Sequence, residues 1–152
     1  MDYMKKYSKL LSCLLNWEEM EEIKRRGRLS DQTIEAFLKE LHLYKICDWA
    51  ETNCLSDFLS FIEERSFALN ISIMYDELSS ILDKLILNHQ FSYKGEYMEF
   101  VLSKCSKELM KSGLRLVTLD SGEDYYKIFV INKQNTRRLK SINSEYWHFV
   151  YW

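Results

Sequence analysis

The chain has 152 residues, 47% hydrophobic and 29% charged, which fits one domain, residues 1–152, able to bury roughly 70% of its unfolded surface with no metal or disulfide staple. Its net charge of −2 conceals an uneven spread: residues 29–100 carry five bases against thirteen acids, a balance of −8, between two net-basic ends. That acidic middle disfavours a nucleic-acid partner and suits a basic one, while no window approaches the ~20 apolar residues of a membrane span.

Residues 3–26 read as helix with a break near Asn16; Tyr3, Tyr7, Leu10, Leu11 and Leu14 form the apolar stripe. Lys5, Lys6 and Lys9 before "LLSCLL" imitate a signal peptide, but the apolar run is short and Asn16-Trp17-Glu18-Glu19 replaces a small-residue cleavage site. The segment is therefore read as the amphipathic first helix of a cytosolic protein. Glu21 with Arg25 and Glu22 with Arg26 are spaced for i,i+4 pairing, and Gly27 stops the run. Ser30 is a good N-cap for a helix that turns Ile34, Phe37, Leu38 and Leu41 inward.

Asp48 and Trp49 fall in a predicted connection. Ser56 is placed to cap a short helix packing Phe58, Leu59, Phe61 and Ile62. "FALNISIMY", Phe67 to Tyr75, alternates Leu69, Ile71 and Ile73, a pattern shared by a short strand and by a loop entering the next helix. Helices over about 75–89 and 96–112 follow, the first striped by Leu78, Ile81, Leu82, Leu85 and Ile86, the second by Tyr97, Phe100, Val101, Cys105 and Leu109, with Gly113 ending it.

The hydrophobic period then changes. "LRLVTLDSGEDYYKIFVI" predicts a hairpin: strand Leu114–Leu119, turn Asp120–Asp124 with Gly122 supplying a positive φ, strand Tyr125–Ile131. "KQNTRRLKSI" predicts a short helix capped by Asn135. The closing "SEYWHFVYW" reads as a further strand, with Tyr146, His148, Val150 and Trp152 on one face and Trp147, Phe149 and Tyr151 on the other. Both faces are largely apolar, so the strand is expected against the hairpin, covered on both sides. The fold class is thus α+β: a helical N-terminal two-thirds, then a small, mainly antiparallel sheet of three to four strands with helices packed on it.

Chemical motifs are sparse. His42, His89 and His148 are scattered, no C-x-x-C, H-E-x-x-H, G-x-S-x-G or phosphate-binding glycine loop occurs, and no catalytic residue, cofactor or metal is expected. Cys13 and Cys105 sit on apolar stripes as core thiols; Cys47 and Cys54 lie seven apart, where a disulfide has room to form but a reducing cytosol disfavours it. Asp120, Glu123, Asp124 and Lys127 approach a metal-dependent nuclease pattern, but the residue two before Lys127 is Tyr125, not an acid. Ten tyrosines and four tryptophans exceed what one small core needs, and such side chains favour interfaces.

Three features, the helical N-terminal half, "ICDWAE" (Ile46 to Glu51) and "GLRLVTLDSGEDYYKIFVI" (Gly113 to Ile131), make the chain resemble the small immunity proteins of bacterial contact-dependent growth inhibition. The resemblance implies a stoichiometric inhibitor that binds a cognate toxin domain, a nuclease in many such systems, and blocks its active site. It carries over no catalytic residue. A nuclease that grips phosphates is basic, so an acidic patch can steer to it and take the substrate's place. The partner-binding residues expected on this reading are Asp48, Glu51, Asp57, Glu63, Glu64, Asp76 and Glu77, with Trp49 and Tyr75 as anchors. Neither membrane nor nucleic acid is an expected partner. Two alternatives stand beside it. One is an enzyme whose site assembles from dispersed residues such as Cys47 or Cys54 with His42. The other is an RNA-binding module using "KRRGR" (Lys24 to Arg28) and "NTRRLK" (Asn135 to Lys140).

Overall fold

A computed structural model describes residues 3–50, 52–142 and 144–152, with the side chains of Tyr3 and Met4 outside the description. The sequence-predicted site residue Glu51 also lies outside it. Helices α1 (Tyr3–Leu14) and α2 (Trp17–Lys24) are separated where expected, because Asn16 opens α2 with a capping box: its side chain accepts from the Glu19 N–H while Glu19 accepts from its backbone. On α2 the pairs are Lys24–Glu21, Arg25–Glu22 and Arg26–Glu22, so Arg25 reaches Glu22 and not Glu21. Helix α3 (Asp31–Glu40) starts at Ser30 with a second capping box, to Thr33. It buries Ile34, Phe37 and Leu38; Leu41, the C-cap, is turned outward.

The chain then forms strand β1 (Lys45–Asp48), which corrects the expectation of a plain connection at Asp48. Only Cys47 of its four residues is buried, so the segment has too little alternation to announce itself. Helix α4 (Leu55–Ala68) runs 14 residues from Cys54, and Ser56 lies inside it rather than capping it. Residues 71–74 are a loop, which resolves the ambiguous "FALNISIMY". Helices α5 (Tyr75–Leu87) and α6 (Glu96–Met110) follow, then strands β2 (Leu114–Leu119) and β3 (Tyr125–Asn132), a single 3₁₀ turn, helix α7 (Thr136–Lys140) and strand β4 (Phe149–Tyr151). The hairpin and its turn fall where the sequence placed them, with Gly122 at φ 71°. Asn135 precedes α7 but makes no side-chain cap.

The four strands form one sheet in the order β1-β3-β2-β4, every pair antiparallel. Register pairs Val117 with Phe129 and Tyr151, and Thr118 with Ile128 and Val150, so alternate residues address opposite layers. Val117, Leu119, Phe129, Ile131 and Phe149 pack under α1, α2, α3 and α7, whereas Leu114, Leu116, Ile128, Val130 and Cys47 pack under α4, α5 and α6. The result is an α+β arrangement with a helical layer on each face of the sheet.

The terminal aromatics divide between these layers. Trp147 and Phe149 join the α1–α3 core, and Trp147 Nε1 donates to Asp31 Oδ1 at 2.8 Å. On the other face Trp152 packs edge-on to Tyr126, donates its Nε1–H to Thr118 Oγ1 at 3.1 Å, and its carbonyl accepts from Ser106 Oγ and Arg115 Nε. Cover on that side is incomplete: Val150 is 40% exposed and His148 is exposed, because β4 is an edge strand. This corrects the expectation of a strand covered on both sides. Among the described residues no helix is long and apolar enough to cross a membrane.

Candidate protein-binding surface

Helix α4 directs Phe58, Leu59, Phe61, Ile62, Arg65 and Ser66 into the core. Helical geometry therefore sends Asp57, Glu63, Glu64 and Phe67 outward. Just past the end of α4, Asn70 adopts a positive φ of 62°, with Ile71 N donating to Ser66 O at 2.9 Å. The chain reverses there and brings Ile73 and Met74 back alongside α4. Glu63 fixes this return, because its Oε2 accepts from the Tyr75 N–H at 2.7 Å and so supplies the cap that Met74, at the N-cap of α5, cannot.

A hollow of about 380 Å³ results, lined by Glu63, Glu64, Phe67, Ser72, Ile73 and Met74. A second, of about 130 Å³, shares Ser72, Ile73 and Met74 with the first and reaches Glu77, Ile81 and Glu108. Phe67 is 81% exposed and Met74 54%, so an apolar centre stands open to water inside a rim of carboxylates. Isolated exposed apolar residues mean little; several of them around one hollow mark an interaction surface.

Of the sequence-predicted residues, the fold brings Glu63, Glu64 and Glu77 to these two hollows, with Asp76 exposed in the first turn of α5 and Asp57 exposed earlier on α4. Tyr75 packs, half-buried, against the α4–α6 core instead of standing out as an anchor. Asp48 and Trp49 do not line the hollows. Asp48 Oδ1 accepts from the Ala50 N–H at 2.8 Å, Trp49 N donates to Asp124 O at 3.2 Å, and the Trp49 ring lies against Gly95 with Lys94 Nζ 5.4 Å from its centre. The exposed apolar residues Phe67 and Met74 were not among the sequence-predicted residues. For Phe67 the signal was present: it falls off the inward stripe of α4. For Met74 there was none, since its exposure depends on the loop's return.

A second polar cluster, also unforeseen, joins both sides of the sequence. Glu35 on α3 accepts hydrogen bonds from Lys127 Nζ on β3 and from the Tyr146 hydroxyl. A hollow of about 310 Å³ beside them is lined also by Tyr44 and Tyr125. Burial opposes the Glu35 charge, but the hydrogen bonds from Lys127 and Tyr146 prevail and hold its carboxyl below the usual value. Burial likewise disfavours the Lys127 ammonium, and Glu35 more than restores it, raising that group. Tyr146 is pushed up by burial and by Glu35. An ammonium held charged is a poor nucleophile and a phenol held neutral a poor base. The cluster clamps α3 and the C-terminal segment to the sheet. Lys127 thus faces α3, not the acids of the hairpin turn.

Cys47 is buried in the α4–α6 core, Cys54 Sγ lies 3.5 Å from Met98 Sδ, and His42 occupies an exposed turn at φ 54°. No disulfide joins Cys47 to Cys54 in the structure. Among the described residues no three His, Cys, Asp or Glu side chains are placed to hold a metal.

An antiparallel sheet between two helical layers, bearing an acid-rimmed apolar hollow, defines the class of molecule: a small α+β domain with an open surface site. The chain belongs to the family described as Domain of unknown function (DUF6630), which residues 3–151 match. No curated protein and no solved structure matches it.

Proposed function

We propose that this protein binds and blocks a basic toxin domain, as a toxin-neutralising immunity protein acting in the cytosol, and that the α4–α5 face is where the toxin seats. The observation carrying this reading is the exposed Phe67 and Met74 pair enclosed by Glu63, Glu64 and Glu77. Stable protein interfaces combine a desolvated apolar or aromatic anchor with a polar rim. The carboxylate rim selects the partner by charge: a phosphate-gripping nuclease presents cations, which the rim attracts over several ångströms and pairs with on contact. The resemblance of "ICDWAE" and the hairpin stretch to immunity proteins points the same way.

The test is to mix the protein with the toxin domain encoded beside it and measure complex formation by calorimetry and toxin activity. A 1:1 complex that silences the toxin and is lost on Phe67→Ser is the expected result. Absence of any complex with such domains overturns the reading.

A further inference from the structure

The opposite helical layer carries a surface of the other sign. The two basic runs of the sequence have different fates. Lys24, Arg25 and Arg26 are neutralised by Glu21, Glu22 and Glu40 at 2.9, 3.2 and 3.0 Å. Arg137, Arg138 and Lys140 on α7 are exposed, and no carboxylate among the described residues lies within ion-pair distance of them.

Tertiary packing enlarges this second run. Helix α1 packs against α7. Burial pushes the Cys13 thiol of α1 up while the charges of Arg138 and Lys9 oppose it, so each of these cations lies near enough to Cys13 to act on it. Arg115 from β2 and Lys140 both stand over the Tyr151 ring, at 5.5 and 4.8 Å from its centre. Further along α1, Lys6 and Lys9 rim a hollow of about 330 Å³, and Asp31, the one carboxylate among the described residues lining it, is engaged by Trp147 Nε1. Cations from α1, β2 and α7 thus form one band that no single stretch of sequence contains.

We infer that this band, Lys9, Arg115, Arg137, Arg138 and Lys140, is a binding surface for the phosphate backbone of a nucleic acid. It goes beyond the toxin-binding reading and stands independently of it. The charge favours any polyanion; the lack of apolar anchors selects among them. Among the described residues none of the large exposed hydrophobics belongs to α1 or α7, the one on that layer's helix α2 being Trp17, whereas Phe67, Met74 and Ile81 mark the acidic face. A protein interface needs such anchors, and a membrane surface is held best where apolar groups insert; a phosphate backbone needs only spaced cations. The sequence expectation of no nucleic-acid partner rested on the acidic middle segment and on Glu18 to Glu22 beside the first basic run; the fold places the α4 and α5 carboxylates on the other layer and pairs Glu19, Glu21 and Glu22 with Arg65, Lys24 and Arg25.

The experiment titrates the full chain into labelled single-stranded RNA of mixed sequence at rising salt, with phosphatidylserine vesicles in parallel. Binding at low salt that weakens steeply is expected, the log–log slope falling by about 0.7 for each phosphate contact removed. Arg138→Glu with Lys140→Glu should weaken binding at least about tenfold, Glu64→Lys on the other layer should not weaken it, and thermal unfolding should be unchanged in both. If the α7 double variant unfolds, substitution of the exposed Lys9 on α1, Lys9→Gln, gives the same reading with a smaller loss. RNA binding that is absent, insensitive to salt or untouched by these variants overturns the inference, and so does binding to vesicles alone.

Discussion

Arg65 on α4 and Glu19 on α2 form an ion pair, Nη1 to Oε2 at 2.8 Å, that links the two helical layers. Arg65 is 5% exposed and also donates Nη2 to Leu14 O. Removing the charge of one partner leaves the other buried and uncompensated. Glu19→Gln keeps an oxygen for the Asn16 N–H and isolates the ion pair; it should cost about 3 kcal/mol in urea unfolding. Glu19→Ala should lose about 1 kcal/mol more, with the capping box. Arg65 Nε finds no partner among the described residues, so the pair fixes geometry better than it adds stability. Arg65→Met with Glu19→Met should therefore recover all but the capping loss.

The Glu35–Lys127–Tyr146 clamp makes stability depend on pH at both ends. The Glu35 carboxyl is held below its ordinary value of 4.5, so its contribution is present above that pH and lost as pH falls through the depressed folded value. Lys127 is held above 10.5; its contribution is complete below that pH and lost as pH rises through the raised folded value. Between these limits stability should be flat in this respect. Glu35→Gln should lower stability at neutral pH and flatten the acid limb below about pH 4.5, read by urea midpoints across a pH series. An unchanged acid limb contradicts the clamp.

Gly95 opens α6 at φ 94°, and a Cβ there would stand 2.6 Å from the Trp49 ring. Gly95→Ala therefore meets both backbone strain and a steric clash, and should cost about 2–3 kcal/mol. Trp49→Ala in the Gly95→Ala background removes only the clash. Thermal melting of the two single variants and the pair should thus be non-additive, the second substitution costing less in the Gly95→Ala background than alone.

On the acidic face, stability and binding separate by residue. Phe67 is so exposed that Phe67→Ser should shift unfolding by less than about 0.5 kcal/mol while abolishing the toxin complex. Glu64→Lys should slow association and reduce its salt dependence, measured by stopped flow. Glu63→Lys should do the same and also destabilise α5 by about 1 kcal/mol, because Glu63 accepts from the Tyr75 N–H. A complex that forms at full rate in all three variants places the interface elsewhere.

Sequence alone determined whatever has a local cause. The break at Asn16, the cap at Ser30, the hairpin Leu114 to Ile131 and the turn at Gly122 follow from side-chain hydrogen bonds, hydrophobic period and backbone freedom within a few residues. The acidity of the central segment was legible too, and with it Glu63, Glu64 and Glu77. What only the tertiary structure decided are the relationships that need distant segments. β1 exists because β3 offers it an edge, not because Lys45 to Asp48 prefers extension. Lys127 left the hairpin's acids for Glu35, 92 residues away. Phe67 and Met74 became one apolar centre when the chain reversed at Asn70, and Arg115 and Lys140 came together over the Tyr151 ring. Local preference involves neighbours along the chain, which spacing records; a binding surface is set by which segments the two cores bring together, and no spacing records that.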